Sequence, residues 1–408
     1  MKSKILNGLM AVMILLSSCN KEPEVIKDIP VPPVTGPTLG EVLDGNDDDS
    51  LFYRLVDRAG QLNLLNDKSK AFTMFVPGNN GLKPVLVALA AQAGVTIPLQ
   101  APNAVFSGFI SQIPVPVATA LVQYNIIPQT IKSTSIANMF PNFSYPSIFN
   151  PAPTVSALAR LNTYPSTRNG AWLNNIPITG VDQAASNGVI HHTATLALPS
   201  SRYLWNRIST DPELTYLKAA VLKADEGAPA GQTLVGFLSS FGPNFTVFAP
   251  TDNAFKTTMA GLIATVLVNS GIPLNVAIPV AVQLASTPEV FNNPALASVL
   301  TPQTVRGIVV YHVLGSRAFT NNFPTTQTAF PTLLNGAIST HPGLKLQATF
   351  TPPNPFVTGA TVKDVYNNDP AANIIINTSP LTPDPLGTSD QNFINGVLHK
   401  IDRVLLPQ

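Results

Sequence analysis

The sequence predicts an α+β protein in which one plan of helices and short strands occurs twice. Two observations carry this prediction. Three segments of the first half recur in the same order in the second half, and each copy changes from helical to strand-like spacing of its apolar residues. The matching segments are residues 72–83 with 245–256, 123–125 with 310–312, and 187–191 with 395–399. One such match could arise by chance, but three in one order indicate a duplication.

Each copy is expected to open with a helix and to pass into a short strand. Apolar residues recur at spacings of three and four in both opening segments. The opening segments are residues 51–59 and 214–222. In the second copy, the β-prone residues 245–248 are followed by Pro250, which ends a strand. Thr251 or Asp252 can then cap the next helix.

A strand is expected to close each copy, over residues 188–198 and 396–406. In the second of these segments the apolar and polar residues do not alternate cleanly, so we expect both faces of the strand to be covered. The chain also contains 39 prolines. Because proline breaks helix interiors, this number excludes a mainly helical bundle.

Charged residues are scarce along the whole chain. They make up 11% of the 408 residues, and the formal net charge is +1. Typical soluble domains carry about 25% charged residues, so the composition favours an extracytoplasmic, loop-rich protein over a cytosolic enzyme. A nearly neutral chain offers no strong field for nucleic acid, which we exclude as a partner. The length suffices for two domains of ordinary size.

The N-terminus has the pattern of a secretory signal. Lys2 and Lys4 precede a short apolar run over residues 8–16, and two serines then lead to Cys19, the single cysteine of the chain. Residues 16–19 resemble the bacterial lipobox. The resemblance implies cleavage before Cys19 and lipid attachment to it. Several acyl chains on one residue anchor a protein stably, whereas one alone is marginal.

This resemblance divides the front of the chain into a lipoprotein signal peptide, residues 1–18, and a proline-rich tether, residues 19–37. No aspartate follows the cysteine, and Lys21, Glu22 and Glu24 resemble the surface-export signals of Bacteroidetes lipoproteins. We therefore expect lipid anchoring in the outer membrane and display at the cell surface, with the periplasmic face as the alternative.

Three motifs of the second copy resemble the fasciclin domain family. Residues 245–255 are similar to the first signature of that domain, 301–314 to its central helix and Tyr-His strand, and 395–405 to its closing motif. The resemblance implies a small, mostly antiparallel β-wedge flanked by helices for residues 203–408. Residues 38–199 resemble the family in a degenerate form. Their departures are Gly78-Asn79 for Thr-Asp, Asn125 for His, and Ala194 for Asp.

Fasciclin domains are typically extracellular adhesion or matrix modules without enzymatic activity, and the resemblance implies the same here. The sequence has no phosphate-binding Gly-x-x-x-x-Gly-Lys and no Gly-x-Ser-x-Gly motif, so we expect neither an enzyme nor a cofactor. The expected partner is a protein or a glycan at the cell surface, with the lipid anchor in the membrane and the oligomeric state left open. One alternative is a structural or accessory subunit of a glycan-handling outer-membrane complex. A hydrolase with an unrecognised carboxylate pair is a weaker one.

Tyr311 and His312 are the candidate partner-binding residues, because the fasciclin resemblance links this neighbourhood to partner recognition. The alternative is structural: a buried histidine that donates to a backbone carbonyl beside a packed tyrosine. Asp252 and Asp402 are expected to act as a helix cap and as a polar anchor of the closing strand.

No metal site is expected. His191 and His192 are adjacent in a predicted strand, so their side chains point to opposite faces and one ion cannot easily bind both. The acidic residues 44–49 are expected to form a solvated loop rather than a calcium site.

Two long segments, 84–131 and 257–288, contain no acidic residue, lysine, arginine or histidine and occupy the same place in their copies. Glycine and proline interrupt both segments, so neither is expected to span a membrane. They predict either extra helices packed on the domain or an exposed apolar surface that meets a protein, a glycan or lipid.

Overall fold

The structure, a computed structural model, describes residues 35–352, 356–365, 370–377 and 387–407. The predicted signal peptide, the lipid attachment at Cys19 and the tether up to residue 34 lie outside these residues. From residue 36 onward the chain forms one compact unit that contains both repeats. Each repeat has its own sheet and its own apolar core.

The first repeat opens with helices, and most of its strands come later in the chain. Its helices are α1 (Leu39–Asp44), α2 (Ser50–Arg58), α3 (Leu62–Leu65), α4 (Asn79–Gln92), α5 (Asn103–Ile110) and α6 (Val115–Tyr124). Its strands are β1 (Phe72–Pro77), β2 (Ile126–Ile127), β3 (Tyr145–Pro146), β4 (Asn162–Thr163), β5 (Pro165–Ser166), β6 (Trp172–Leu173), β7 (Ile176–Ala185) and β8 (Gly188–Thr193).

The second repeat follows the same order. Its helices are α7 (Leu204–Thr210), α8 (Thr215–Ala224), α9 (Leu234–Leu238), α10 (Asp252–Asn269), α11 (Leu274–Leu284) and α12 (Pro302–Tyr311). Its strands are β9 (Phe245–Pro250), β10 (Val313–Leu314), β11 (Thr328–Phe330), β12 (Leu344–Phe350), β13 (Val357–Lys363), β14 (Ala372–Asn373), β15 (Gln391–Phe393) and β16 (Gly396–Ile401). Both opening helices lie where the sequence predicts them.

A parallel pair of strands lies at the centre of each repeat. Strand β1 pairs with β8 so that Phe72 lies opposite Gly188, and β9 pairs with β16 so that Phe245 lies opposite Gly396. The two registers are equivalent at sequence offsets of 173 (245 − 72) and 208 (396 − 188), so the duplication extends to the strand register. A Cβ on Gly188 would lie 2.1 Å from the Phe72 carbonyl oxygen, and one on Gly396 would lie 2.5 Å from that of Phe245. The close approach of the paired strands therefore requires glycine.

The other strand pairs between described residues are antiparallel. The first repeat has a sheet of order β2-β1-β8-β7-β6-β5, and the second has β10-β9-β16-β15 beside a further sheet β11-β12-β13-β14. All six residues of β16 are buried, which confirms that this strand is covered on both faces. The architecture is the predicted α+β fold with mostly antiparallel sheets and flanking helices.

The closing strands are shorter than predicted, because the chain turns away from the sheet after Thr193 and Ile401. After the second strand, Asp402 accepts hydrogen bonds from the backbone N–H and the side-chain amide of Asn373, at 2.7 and 2.8 Å. Asp402 is therefore the polar anchor that the sequence predicts, and it fastens β14 to the end of β16.

Buried asparagines tie helix ends to the closing strand in both repeats. The side chain of Asn187 accepts a hydrogen bond from the first N–H of α1 and donates to the last carbonyl of α3, at 2.9 and 2.8 Å. Asn395 makes the same two bonds with α7 and α9, at 3.0 and 2.9 Å. Because helix ends leave backbone groups unpaired, these side chains satisfy groups that would otherwise be buried without partners.

Asp252 caps a helix, but not the one that it begins. Thr251 caps α10. The carboxylate of Asp252 instead accepts hydrogen bonds from the Tyr216 N–H (3.0 Å) and the Thr215 hydroxyl (2.6 Å) at the start of α8. Asn79, its counterpart at offset 173, caps α2 in the same way at 2.9 Å. The first signature thus binds the opening helix in each repeat.

Aromatic and amide side chains join the two repeats. The guanidinium of Arg317 in the second repeat lies 4.7 Å from the ring centre of Tyr164 in the first. The Tyr164 hydroxyl donates to Asn244 at 3.0 Å, and the Asn392 amide donates to the hydroxyl of Tyr124 at 3.1 Å. Both tyrosines are buried, so the repeats pack against each other directly.

The second repeat contains a buried cluster of charges beneath its closing strand. Lys400 pairs with Asp211 at 2.8 Å and with Glu213 at 2.7 Å, and Asp211 also pairs with Arg207 at 2.9 Å. The side chains of Lys400, Asp211 and Arg207 are almost completely buried. Buried charges of this kind persist only when each has a partner.

The first repeat has a weaker version of this cluster. His192 occupies the position of Lys400 (400 − 192 = 208), and its Nδ1 lies 3.6 Å from Oδ1 of Asp49. Asp49 belongs to the segment that we expected to be solvated, and for this residue the expectation is wrong, because it is fully buried. Burial raises its pKa, and His192 and a hydrogen bond from Asn46 oppose that rise.

We expect Asp211→Asn to lower the free energy of unfolding by about 3 kcal/mol, because it removes the carboxylate that the buried cations Arg207 and Lys400 share. Asp49→Asn should cost less than about 1 kcal/mol, since a neutral amide suits the buried site and a histidine can be neutral at pH 7. Urea unfolding of the two variants at neutral pH measures the difference. Equal losses would contradict this account of the two clusters.

We expect Tyr164→Ala to destabilise the protein by about 3 kcal/mol, because the ring packs between Arg317 and Phe319, with the Phe319 ring centre 5.9 Å away. Tyr164→Phe keeps both ring contacts and loses the hydrogen bond to Asn244, so it should cost only about 1 kcal/mol. Thermal unfolding should show one cooperative transition in the unsubstituted protein and a broader one in Tyr164→Ala. Two separate transitions in the unsubstituted protein would show that the repeats unfold independently.

Candidate interaction surface

The charge-free segment of the second repeat forms a helical hairpin. Helix α10 runs along one side, residues 270–273 reverse the chain, and α11 returns against α10. The buried residues of α11 are Ala277 and Ala281, and Ala285, directly after the helix, is buried as well. Their small side chains allow the two helices to approach closely.

Most of the α11 surface is exposed and apolar. Five aliphatic side chains each expose between 38% and 60% of their surface. These residues are Leu274, Val276, Ile278, Val280 and Val282. Residues 257–288 contain neither an ionisable nor an aromatic residue, so this surface can make aliphatic contacts but neither ion pairs nor ring stacking.

The corresponding segment of the first repeat is packed differently. Helix α5 buries Phe106, Phe109 and Ile110 and contacts α2. In the second repeat, the short 3₁₀ helix Pro288–Asn292 contacts α8 in the same manner and buries Phe291. Both segments expose aliphatic side chains, including Val105, Val115 and Val117 at 40% to 47% in the first repeat, but α5 also buries large residues, whereas the fully buried residues of α11 are alanines.

Helix α11 lies in a part of the second repeat that is longer than the first. The offset between the repeats is 173 at the first signature and 187 at the tyrosine of the central helix (311 − 124), so the second repeat carries 14 additional residues between them (187 − 173). In the first repeat α5 contacts both α4 and α2, whereas in the second repeat α11 contacts α10 and the 3₁₀ helix contacts α8, so the longer segment divides between two elements the contacts that α5 makes by itself. The exposed aliphatic surface thus lies in the lengthened part of the second repeat.

A cleft of about 420 Å³ opens between the two helices at the base of the hairpin. Lys256, Thr257 and Ala260 line it from α10, and Val282 and Ser286 line it from the other side. Lys256 places a cation at the edge of the aliphatic surface, and its Nζ lies 5.9 Å from the ring centre of Tyr216.

No single helix among the described residues is long and apolar enough to cross a membrane. Helices α5 and α6 reach the necessary length and composition only as a pair, and they are bent by 112° relative to each other.

Tyr311 and His312 lie in the interior of the second repeat. The Tyr311 hydroxyl donates to the Gly343 carbonyl at 3.0 Å and accepts from the Val365 N–H at 3.3 Å. His312 is 2% exposed, and both of its ring nitrogens have backbone partners. This geometry matches the structural alternative for the pair, and partner binding by either residue stays a prediction.

The hydrogen bonds of His312 fix its protonation state. Nδ1 lies 2.8 Å from the Ile308 carbonyl, so it carries the proton, and Nε2 accepts from the Leu405 N–H at 2.9 Å. A second proton on the ring would oppose the Leu405 donor. Burial lowers the pKa of His312 to about 4, against the opposing effect of the bond to Ile308.

Asn125 performs the corresponding task in the first repeat. Its amide donates to the Leu121 carbonyl, four residues earlier, at 2.8 Å, just as His312 donates to Ile308. A second bond reaches the Ala197 carbonyl at 2.8 Å. The replacement of histidine by asparagine therefore keeps the bond to the helix and removes the titrating ring.

A second pair of histidines has the same environment in each repeat. His191 accepts a hydrogen bond from the Asp182 N–H, and its Nε2 lies 2.8 Å from a backbone carbonyl oxygen. His399 likewise accepts a hydrogen bond from the Asp390 N–H, and its Nε2 lies 2.9 Å from a backbone carbonyl oxygen. Burial lowers the pKa of both histidines. The aligned closing motifs reveal these two histidines, but they do not reveal the aspartates, because Asp182 lies within β7 and Asp390 directly precedes β15.

His191 and His192 have different hydrogen-bond partners. Nε2 of His192 lies 2.7 Å from the side-chain oxygen of Gln183 instead. The described residues contain no cluster of three or more histidine, cysteine or acidic side chains that could hold a metal ion.

We expect acid to destabilise the protein through its buried histidines. Between about pH 6.5 and pH 4 the unfolded chain binds a proton at His312 that the folded chain does not, so the free energy of unfolding falls as the pH falls. The contribution reaches on the order of 3 kcal/mol at the acid end. His312→Asn should be less stable at pH 8 but should show a shallower pH dependence in urea unfolding. Parallel curves for the two proteins would contradict the assignment.

A model of the fasciclin domain matches residues 48–199 and 230–407 of the chain, inside the predicted boundaries 38–199 and 203–408. A search of the curated proteins found no match. Among solved structures, one similar chain is a FAS1 domain pair from the insect cell adhesion molecule Fasciclin I. The identity is 12%, the TM-score is 0.31, and the match covers 88% of this chain and 96% of that chain.

The family match covers most of the chain, and its two ranges coincide with the two structural repeats. Fasciclin domains are generally adhesion or binding modules, which agrees with non-catalytic binding. The protein therefore belongs to the fasciclin domain family and carries two tandem copies of the domain.

Proposed function

We propose that this protein is a non-catalytic adhesion and binding lipoprotein, held in the outer membrane by lipidated Cys19 and displayed at the cell surface. The observation that carries the proposal is the exposed aliphatic surface of α11, which lies in the lengthened part of the second repeat. Exposed apolar surfaces of this kind mark interaction sites in soluble domains. The membership of a family of binding modules supports the same function.

The anchor is supported by the N-terminal sequence. A basic start, a short apolar run and the single cysteine after two serines form the lipobox pattern. A protein held in this way needs no spanning helix, and the described residues contain no single helix that could serve as one.

The composition of the α11 surface narrows the class of partner. Glycan sites in proteins use ring stacking and polar groups, whereas residues 257–288 contain no aromatic side chain. The aliphatic side chains suit an apolar protein surface or lipid. A glycan partner at the cell surface would therefore be bound by another part of the protein, while the anchor holds the protein in the membrane.

An accessory subunit of a glycan-handling outer-membrane complex is the second candidate function. It is favoured by the same aliphatic surface, if a permanent protein partner covers it. Purification of the lipidated protein in mild detergent separates the two functions: one stoichiometric partner supports the accessory role, and recovery of the protein by itself supports transient adhesion.

We expect Cys19→Ala to abolish incorporation of labelled fatty acid and to remove the protein from the outer-membrane fraction. Ser17→Ala is the matched control, because it keeps the cysteine and a small residue before the cleavage site, and it should behave as the unsubstituted protein. In intact cells, added protease should degrade the lipidated protein.

Two results would contradict these expectations separately. Persistence of Cys19→Ala in the outer membrane would refute anchoring through this residue. Protection of the lipidated protein until the cells are opened would place it on the periplasmic face and refute surface display.

A further inference from the structure

We propose that α11 is a membrane-contact element, in which Leu274, Ile278 and Val282 enter the acyl layer of a lipid bilayer. This inference rests on the proposed function, because the anchor at Cys19 supplies the bilayer. The three side chains are the most exposed of the α11 aliphatic residues, with 60%, 49% and 56% of their surface in solvent. At spacings of four they form one continuous stripe along the helix.

The surroundings of this stripe fit the layers of a bilayer. Successive helical residues are about 100° apart, so Asn275, Pro279 and Gln283 form the outer ridge beside the stripe. The neutral polar side chains of Asn275 and Gln283 suit the headgroup layer. Lys256 lines the cleft beside Val282, where its ammonium can reach lipid phosphates while its methylene groups stay near apolar atoms. The stripe therefore carries no charge itself, and Lys256 places a positive charge beside it.

The size of the surface argues against a second copy of the chain as its partner. Five half-exposed aliphatic side chains present on the order of 300 Å² of apolar area, against roughly 800 Å² per partner in a stable interface. A small apolar area is enough for shallow insertion, because a lipid anchor supplies most of the membrane affinity and the helix adds to it.

The tether keeps the folded unit close to the membrane. Thr35 lies 16 positions after Cys19 in the sequence (35 − 19), and a chain of that length spans at most roughly 55 Å. That reach is comparable to the dimensions of a two-domain protein, so an anchored protein of this kind meets its own bilayer frequently. Insertion of α11 would fix one face of the domain pair against the membrane and leave the other face free for partners.

The test uses the chain from residue 36 onward, which forms a compact unit separate from the preceding residues and contains no cysteine. At millimolar lipid, which compensates for the missing anchor, this unacylated protein should bind vesicles of neutral phosphatidylcholine, and high salt should not release it, since the stripe carries no charge. Ile278→Lys with Val282→Lys should reduce the bound fraction at least about tenfold. Val155→Lys with Leu158→Lys is the matched control, because these side chains are 85% and 88% exposed; it should bind normally.

A second measurement does not depend on the lysine variants folding. An environment-sensitive dye on Val282→Cys should shift to shorter wavelength with vesicles and be quenched by a quencher in the acyl chains, whereas the same dye on Leu158→Cys should not respond. Absence of vesicle binding, or equal responses of both dyes, would overturn the proposal. If the protein does not bind vesicles but self-associates, and if the lysine variants abolish that self-association, the partner is a second copy of the chain. None of these results alters the outcome of the Cys19 experiment.

Discussion

The parallel pairing of the first signature strand with the closing strand is the constraint on which the rest of the fold depends. Strands β1 and β8 are more than 100 residues apart in sequence, and so are β9 and β16, yet each pair lies at the centre of its repeat. Since a parallel pair cannot be joined by a tight turn, all of the intervening chain must pack around it. Both strands of the first pair and the closing strand of the second are almost wholly buried, so polar groups at their ends must find partners inside the protein.

This constraint explains which polar residues the two repeats share. Asn187 and Asn395 cap helices from the start of the closing strand, and Asn79 and Asp252 cap the opening helix from the end of the first strand. Each of these side chains joins a strand end to a helix end. The central pair and the surrounding helices are therefore fastened by hydrogen bonds that depend on side-chain identity, and these are the positions at which the motifs recur.

The repeats differ where one bond can be made by different side chains. Asn125 and His312 both donate to the carbonyl four residues earlier, but only the histidine brings a ring that burial keeps neutral. His192 and Lys400 occupy equivalent positions beside a buried aspartate, with a weaker contact in the first repeat. The first repeat departs from the family pattern at such positions while it keeps the hydrogen bonds. Its sequence is degenerate, and its fold is intact.

The sequence was sufficient to predict the duplication, the opening helices and the buried closing strand, because periodicity and aligned motifs report local structure. It was not sufficient to predict that Asp252 caps α8, since that bond joins residues 36 positions apart that only the packed fold brings together. The same limit applies to Arg317 and Tyr164, which meet between the repeats. Composition likewise could not separate the two charge-free segments. The 14 additional residues of the second repeat were the available signal for an exposed helix, because residues added to a domain whose core is already filled must lie at its surface.

Helix α11 shows why such an insertion is tolerated. Its fully buried residues are Ala277 and Ala281, and Leu284 at its C-terminal end packs against the core that contains Phe255 and Phe291. Its five exposed aliphatic side chains are not part of that core. Its exposed side chains can therefore vary without disturbing the central strands, and the hairpin keeps a fixed orientation because α10 is capped by Thr251 directly after β9. The elements that both repeats share stabilise the fold, whereas α11, which the shared fold does not require, offers a surface to other molecules. A binding function can evolve on such an element at little cost to folding.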